Sequence, residues 1–457
     1  MRGNRNLAKK LQYLLITSFY AKLLAVKQVT SNKGKNTPGI DKQLWRTPSS
    51  KLEAALSLNP KGYKAKPLRR IYIEKKGKKK KRPLGIPTMR DRAIQALLAM
   101  ALDPIAEATA DKTSFGFRKK RGTKDAAAHI FTYLSRSKGA QWILEGDIKG
   151  CFDNINHQWL VENIPIDKKI LRQIINAGFI YKRKLFPTER GTPQGGILSP
   201  IMANMTLDGI EKQIKEKYWK EKNGTISARH NKYKVNYTRY ADDFIVSAES
   251  KEILTEIKEI ITTHLKERGL TLSEEKTLVT NINDGFDFLG WNFRKYKGKL
   301  LIKPSKDSIK KLTEKLKTTT QIYRSAKQAE LIRTLNPIIT GWTNYHRNVC
   351  AKQSYAKIDY FIFHTLWRWA KRRHPNKSAK WIKNRYWKST PTRDWTFKDG
   401  ETSLKYAIET LITRHRIIKL DANPYLPIYN SYYYYRDKQK MQGKKIAPNG
   451  ILGKRTA

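Results

Sequence analysis

The chain has two cysteines, Cys151 and Cys350, in 457 residues. That excludes a disulfide framework, and it leaves too few thiols for a zinc site built from two cysteine–histidine pairs or from four thiolates. A reducing compartment fits. The eight histidines are scattered, with no metal-ligand spacing. No uninterrupted apolar run is long enough to span a bilayer, so no membrane partner is expected. Residues 11–26, LQYLLITSFYAKLLAV, follow a basic start in the manner of a signal peptide. Lys22 splits the run, however, and Leu11, Leu14, Leu15, Phe19, Leu23 and Val26 keep helical spacing. An amphipathic core helix is the better reading. Internal repeats are absent. Acidic residues are scarce: 39 Asp and Glu stand against 93 Lys and Arg, for a net charge of +54.

What is present follows from that imbalance. The length suggests two to four domains, each with its own core. The positive charge is spread along the chain, in KKGKKKKR (75–82), FRKKRGTK (117–124), YKRK (181–184), WAKRRH (369–374) and GKKIAPNGILGKR (443–455). A spread excess points to an extended polyanion gripped at several places, and nucleic acid is the natural one.

The pattern along the chain is mixed. Residues 30–41 read as a polar, mobile surface loop. Residues 68–87 read as a hairpin with a basic tip, and 90–110 as a helix with Ile94, Leu97, Leu98, Ala101 and Leu102 on one face. QWILEGDIKGCFDNI (141–155) begins as a strand and turns at Gly146 and Gly150. GTPQGGILSP (191–200) is a loop leading into a helix from Ile201. YKVNYTRYADDFIVSAES (233–250) reads as two strands with aspartates at the bend, followed by a helix over 251–269. From about residue 305 the chain turns helical, basic and tryptophan-rich. Beyond 386 an irregular aromatic tail is expected.

In so basic a chain, acidic residues sharing one site call for a cation. Two divalent ions about 3.5–4 Å apart activate a 3′ hydroxyl and stabilise a leaving pyrophosphate. Such a site needs a carboxylate at a strand end and one or two more on a neighbouring hairpin turn. Asp147, closing WILEGD, and Asp242 with Asp243, in YADD, fit that arrangement. What lifts the pattern above an ordinary Asx turn is the order of elements: basic hairpin, Asp147, TPQG, YADD, the lysine of SEEKT, then FDFLGW.

In that order the chain resembles the reverse transcriptases encoded by mobile group II introns, the intron maturases, over nearly its whole length. PLGIPTMRDRAIQ, SFGFRKKRGTKDA, DIKGCFDNI, GTPQGGILSPIMANM, RYADDF and FDFLGW are similar to that family's successive blocks. TPGID is similar to its additional N-terminal block, and LNPIITGWTNYHR with RRHPNKSAKWI to its thumb, or maturase, region.

The resemblance implies an α+β right-hand polymerase. Its fingers and palm, with an antiparallel palm sheet, would occupy 61–300 behind an N-terminal extension (1–60). A helical thumb/maturase domain (301–385) and a small DNA-binding region (386–457) would follow. It further implies that Asp147, Asp242 and Asp243 hold two Mg2+ ions, the Ile148 carbonyl completing a shell. Lys75 or Lys76, with Arg82, would meet the triphosphate. The lysine run is redundant, and which lysine serves stays open. Phe152 would lie under the sugar and exclude a 2′ hydroxyl. Gln194 and Gly195 would line the nucleotide pocket, and Lys276 would offer a proton to pyrophosphate. Phe288 and Trp291 are expected to pack.

Expected partners are the intron RNA, target DNA, an RNA template with a DNA primer, and deoxynucleotides. Arg372, Arg373, Lys377, Lys380 and Trp381 are the expected RNA contacts, and the tyrosines 432–435 either stack on bases or fill a small core. Larger members end in a zinc-associated HNH endonuclease. This chain stops at Ala457 without one, whether by nature or by truncation, so neither zinc nor bottom-strand cleavage is expected. The bacterial cytoplasm, at the nucleoid when on target DNA, or an organellar matrix or stroma is the expected compartment. Two other readings stand: an RNA-binding splicing factor with an idle polymerase site, and a reverse transcriptase recruited to a retron or CRISPR system.

Overall fold

A computed structural model describes residues 4–74, 81–391 and 393–442. The chain divides into two compact units, the first comprising Met1–Ile130, Ala140–Val279 and Ile418–Asn430. The second comprises Phe131–Gly139, Thr280–Ile417 and the chain from Ser431 onward. Helices and mainly antiparallel sheets alternate in both. Among the described residues no helix is long and apolar enough to cross a membrane.

The strands of the first unit, in chain order, are β1 (Leu68–Glu74), β2 (Lys81–Ile86), β3 (Trp142–Asp147), β4 (Phe179–Tyr181), β5 (Lys184–Phe186), β6 (Asn236–Tyr240) and β7 (Asp243–Ala248); β8 (Leu278–Asn281) ends just beyond it. One sheet runs β2-β1-β4-β5, with β1 and β2 forming the expected antiparallel hairpin and β1 parallel to β4. The other runs β6-β7-β3-β8. β7, DFIVSA, is buried along five of its six positions, as a central strand covered on both faces should be. The helix Lys251–Lys266 packs Leu254, Ile257, Ile261 and Leu265 into the core shared with Leu144, Phe244 and Val246.

The centre of that core is the helix Met89–Thr109, with Ile94, Leu97, Leu98, Ala101 and Leu102 all buried. Its first turn is capped by Thr88, whose hydroxyl oxygen accepts from the Asp91 N–H and donates to the Asp91 carboxylate, a capping arrangement that satisfies an otherwise unpaired helix donor. Tyr63 donates to the other Asp91 oxygen at 2.6 Å.

Five expectations need correction. Residues 11–26 do not form one core helix. Two helices, Arg5–Thr17 and Phe19–Ser31, meet at an extended Ser18 (ψ 131°). Burial falls on Ala21, Ala25, Val26 and Val29, while Leu11, Leu14 and Phe19 are exposed. The loop 30–41 is pinned rather than free: the buried Arg92 donates to the carbonyls of Gly34 and Thr37, and Gly39 lies so close to Thr88 that a Cβ would meet backbone at 2.6 Å. Gly146 is not a turn but a strand residue, and a Cβ there would meet the Phe244 ring at 2.1 Å. The helix after TPQG is two, Ser199–Leu207 and Ile210–Tyr218, parted at Asp208 and Gly209 (φ 103°).

Among the described residues the chain beyond 386 is irregular only in part, mainly over 404–429. In the second unit β9 (Phe286–Phe288), β10 (Trp291–Tyr296) and β11 (Lys299–Pro304) form one antiparallel sheet. β12 (Trp387–Thr390), β13 (Arg393–Asp399) and β14 (Thr402–Ser403) form another, and a helix spans Asn430–Gln442 over the tyrosine cluster. Between the two sheets in chain order come the helices Lys306–Ile322, Gln328–His346, Lys352–Arg373 and Ala379–Tyr386. The β9–β10 turn has positive φ at both Leu289 (52°) and Gly290 (81°), as a tight hairpin requires. Phe288 and Trp291 are buried, and Trp291 stacks on Tyr345 at 4.6 Å.

Candidate active site

The β6–β7 hairpin turns through Ala241 and Asp242. Ala241 has φ 59°, a left-handed value that costs an L-residue roughly 1–2 kcal/mol. The turn is held from outside. Gly116 packs against it so closely that a Cβ would meet the Ala241 nitrogen at 2.4 Å. Asn204 Nδ2 donates to the Gly116 carbonyl at 2.7 Å. The segment ending in Gly116 runs beside β6, with Phe115 N–H donating to the Arg239 carbonyl and Arg239 N–H to that of Thr113.

Beneath the turn Arg239 is wholly buried. Its guanidinium donates to Asp208 at 2.5 Å, to Asn204 Oδ1 at 3.1 Å and to the Ala241 carbonyl at 3.3 Å. The carboxylate of Asp111, also buried, accepts from the N–H groups of Gly209 and Glu211 at the start of the helix Ile210–Tyr218. Burial, then the neighbouring Asp208, push the Asp111 carboxyl up to about 7. Burial would raise Glu211 as well, but Lys215 and the Thr113 N–H outweigh it and hold that carboxyl below its usual range.

On this support the three aspartates are brought together. β3 and β7 are antiparallel neighbours whose register sets Asp147 opposite Asp243, with Asp242 on the adjoining turn. Burial, then repulsion from Asp242 and Asp147, raise Asp243 to about 7. Asp242 is raised too, first by burial and then by Asp147. The countercharges are Lys276, whose ammonium pairs with Asp147 Oδ2 at 2.5 Å, and Arg82 from β2, whose field reaches Asp242. Among the described residues the three crowded carboxylates thus face two close cations, Lys276 and Arg82.

Ile148 bridges Leu272 through bonds made by its neighbours, from Lys149 N–H to the Thr271 carbonyl and from Ser273 N–H to the Asp147 carbonyl. By strand alternation the peptide groups of Ile148 itself turn to the other edge, the one β3 shares with β7. Its side chain is buried.

Among the described residues no three His, Cys, Asp or Glu side chains converge closely enough to hold an ion unaided. Magnesium usually binds through one or two carboxylates, with substrate phosphates and water completing the shell. An oxygen-only set of Asp147, Asp242 and a peptide carbonyl, short of positive charge, fits that demand.

The remaining residues of the first unit fall around this point. Phe152 is half-buried, its ring 6.2 Å from and edge-on to Phe117. Thr192 N–H donates to the Phe152 carbonyl at 2.6 Å, which ties the TPQG loop to it. Gln194 donates its amide to both Asp153 oxygens, and its carbonyl accepts from Gly85 of β2. Gly195 (φ 109°) lies where a Cβ would meet the Gly85 carbonyl at 2.7 Å. Lys75 and Lys76 lie outside the described residues.

The expected RNA contacts belong to the second unit. Arg372, Lys377 and Lys380 are exposed, and Trp381 packs edge-on to His374 with the Lys377 ammonium 5.5 Å from its ring. Arg373 is exposed too, and it donates to the carbonyls of Arg324 and Ala326 and lies 4.7 Å over Trp369.

Sequence reasoning missed Arg239, Asp208 and Asp111. Arg239 sits in β6, where successive side chains alternate between the two faces, so it points away from the faces of Thr238 and Tyr240. In a chain with 93 cations nothing in its local sequence marked it as buried.

A hairpin bearing two carboxylates beside a strand bearing a third is the architecture of a nucleic-acid polymerase, and the family comparisons agree. Residues 73–293 match the model of the reverse transcriptase (RNA-dependent DNA polymerase) family. Residues 1–58 match the N-terminal domain of reverse transcriptase, and 309–387 the group II intron, maturase-specific domain. The chain belongs to the family of group II intron-encoded reverse transcriptases and maturases. It is 31% identical to the group II intron-encoded protein LtrA of Lactococcus lactis subsp. cremoris, over 77% of this chain and 72% of that protein. It is 32% identical to protein YkfC of Escherichia coli, over 58% of this chain and 78% of the other. An uncharacterized 91 kDa protein in the cob intron of Schizosaccharomyces pombe is 30% identical, over 79% of this chain and 53% of its own length. RNA-directed DNA polymerisation and intron splicing are the roles of the two principal domains.

Proposed function

We propose that the chain copies its intron RNA into DNA by target-primed synthesis during retrohoming, and that it grips the same RNA to promote splicing. The polymerase is read as a right hand, with an N-terminal extension over 1–60, fingers and palm over 61–300, a thumb/maturase domain over 301–385 and a DNA-binding region over 386–457. Asp147, Asp242 and Asp243, with the Ile148 carbonyl, would hold two Mg2+ ions. Bound there, the metal lowers the barrier to attack by the primer 3′ hydroxyl and to loss of pyrophosphate.

The protein groups do the rest. Arg82, with a finger lysine at 75 or 76, orients the triphosphate by its charge. Phe152 closes the space beside the sugar C2′ and so selects deoxynucleotides. Gln194 and Gly195 shape the base side of the pocket through their contact with β2. Lys276, which pairs with Asp147, would offer its proton or its charge to the departing pyrophosphate. Arg372, Arg373, Lys377, Lys380 and Trp381 are read as RNA contacts, Arg373 being exposed while also bonded to the carbonyls of Arg324 and Ala326.

The observation that carries this reading is the β3–β7 register, which sets Asp147 against Asp243 beside Asp242. The test is primer extension on an RNA template. Asp242→Asn is expected to abolish extension while binding to structured RNA stays within about twofold, one charge being small against +54. Undiminished extension by this variant would remove Asp242 from the metal site.

A further inference from the structure

The second unit carries a cavity of about 340 Å3 lined by Ala356, Asp359, Tyr360, Phe363, Arg393, Trp395 and Ile408. Its volume lies within the usual range for small-molecule pockets. Two elements build it. Ala356, Asp359, Tyr360 and Phe363 are spaced i, i+3, i+4 and i+7 along the helix Lys352–Arg373, so they share one face. Arg393 and Trp395 are two apart on β13 and therefore point to the same side of that sheet.

The lining is costly to leave bare. Tyr360 is 70% exposed and Trp395 41%, although aromatic surface is favourably buried. Phe363, which also lines the cavity, has its ring 5.9 Å from that of Trp395. The Arg393 guanidinium lies over the Tyr406 ring at 3.6 Å, close enough to Asp359 for its charge to act there, and among the described residues no hydrogen bond to it is seen. The Lys383 ammonium sits 5.5 Å from the Trp395 ring. At the floor, Asp359 accepts from the N–H groups of Ala407 and Ile408, and its carboxylate retains lone pairs for another donor.

An apolar side chain of a protein partner would cover the Arg393 guanidinium without offering it a hydrogen-bond acceptor. An unpaired nucleobase differs. Its faces would stack on Tyr360 and Trp395, its edge would offer donors to Asp359, and its phosphate would meet Arg393 and Lys383. The net charge of +54 favours a polyanion, and the segment matching the group II intron, maturase-specific domain includes Tyr360 and Phe363. We propose that this cavity binds a single unpaired base of an RNA strand. The proposal rests on the RNA-gripping part of the function above.

The test titrates the full chain with a short single-stranded oligoribonucleotide carrying one 2-aminopurine, and with the same strand annealed to its complement. Tyr360→Ala and Trp395→Ala are each expected to weaken single-strand binding about tenfold, given the strength of base–aromatic stacking. Each should also diminish quenching of the 2-aminopurine, with duplex affinity changed less than twofold. Tyr360 is mostly exposed, so its removal leaves the fold intact, and Tyr360→Phe should restore the wild-type values. Single-strand affinity unchanged in both alanine variants would overturn the pocket alone, as would equal losses on single strand and duplex. A deoxy strand bound as well, and lost as much, would overturn the assignment to RNA. Wild-type protein that binds neither RNA would overturn the splicing reading together with the pocket.

Discussion

Arg239 contributes one of the chain's 93 cationic side chains, yet it is wholly buried. It joins Asp208 to the Ala241 carbonyl and so positions the turn that carries Asp242. Removing one member of a buried pair leaves the other charge stranded, and Arg239→Met should therefore cost about 3–5 kcal/mol of stability. Urea unfolding measures it. Adding Asp208→Leu should recover much of the loss, because a matched apolar replacement of both partners is often neutral. A single variant as stable as the wild type would show that the pair supports nothing. Phe152 poses the opposite problem, being only half-buried against Phe117. A side chain kept for packing alone would be expected deeper. Phe152→Ala should raise ribonucleotide incorporation relative to deoxynucleotide in primer extension, and an unaltered ratio would return Phe152 to the core.

At the scale of elements, the hairpin β6–β7 joins a strained residue to a functional one. Ala241 has φ 59°, and a glycine there avoids the Cβ penalty. Ala241→Gly should stabilise the protein by about 1 kcal/mol in urea unfolding, whatever it does to catalysis. The helix Ile210–Tyr218 behind the turn is capped from afar by Asp111. Burial and Asp208 raise that carboxyl from 3.8 to about 7. Between about pH 4 and 7 the unfolded chain is therefore ionised at Asp111 while the folded chain still holds its proton. Stability from this group falls as pH rises through that window and is flat above it. Asp111→Asn removes the titration and keeps an acceptor for the helix. The variant should gain on the wild type between pH 5 and pH 8, and a stability difference constant over that range would count against the raised carboxyl.

These elements also show what the sequence could tell. β3, β6 and β7 were legible because strand-formers end at acidic residues, and so was the helix from Met89, with apolar residues at helical spacing. The N-terminal helix misled in part: Val26 is buried and Leu15 and Leu23 pack partly, but Leu11, Leu14 and Phe19 keep helical spacing on a side that the fold leaves exposed, while Ala21 and Ala25 pack. Gly146 resembled a turn residue because close packing under Phe244 and a positive φ both call for glycine, and local sequence does not separate the two. The sheet β12-β13-β14 was hidden by polar strands, WKST and RDWTFKD, whose buried residues are few.

For the whole molecule the question is how much of a net charge of +54 faces solvent. Some of it does not. Arg118 and Arg121, in a run that reads as a nucleic-acid patch, have side chains only 7% and 1% exposed, and both pair with Glu107. Arg92 and Arg436 are buried as well. Among the described residues most lysines, by contrast, are exposed or half-exposed, and Arg372, Lys377 and Lys380 are exposed. Exposed cations bind RNA by releasing counterions, whereas buried ones hold the fold and add little to the salt dependence. Neutralising 6–10 phosphates would weaken binding by about 10^3–10^5 between 50 and 200 mM salt, on the scale found for duplexes. We expect affinity for a structured RNA to fall within that range, measured by filter binding across a salt series. Replacing Arg372, Lys377 and Lys380 together should flatten the slope by up to about three counterions. Replacing Arg118 should leave the slope as it was and lower the unfolding midpoint instead. A slope moved equally by both would mean that solvent exposure does not decide which cations meet the RNA.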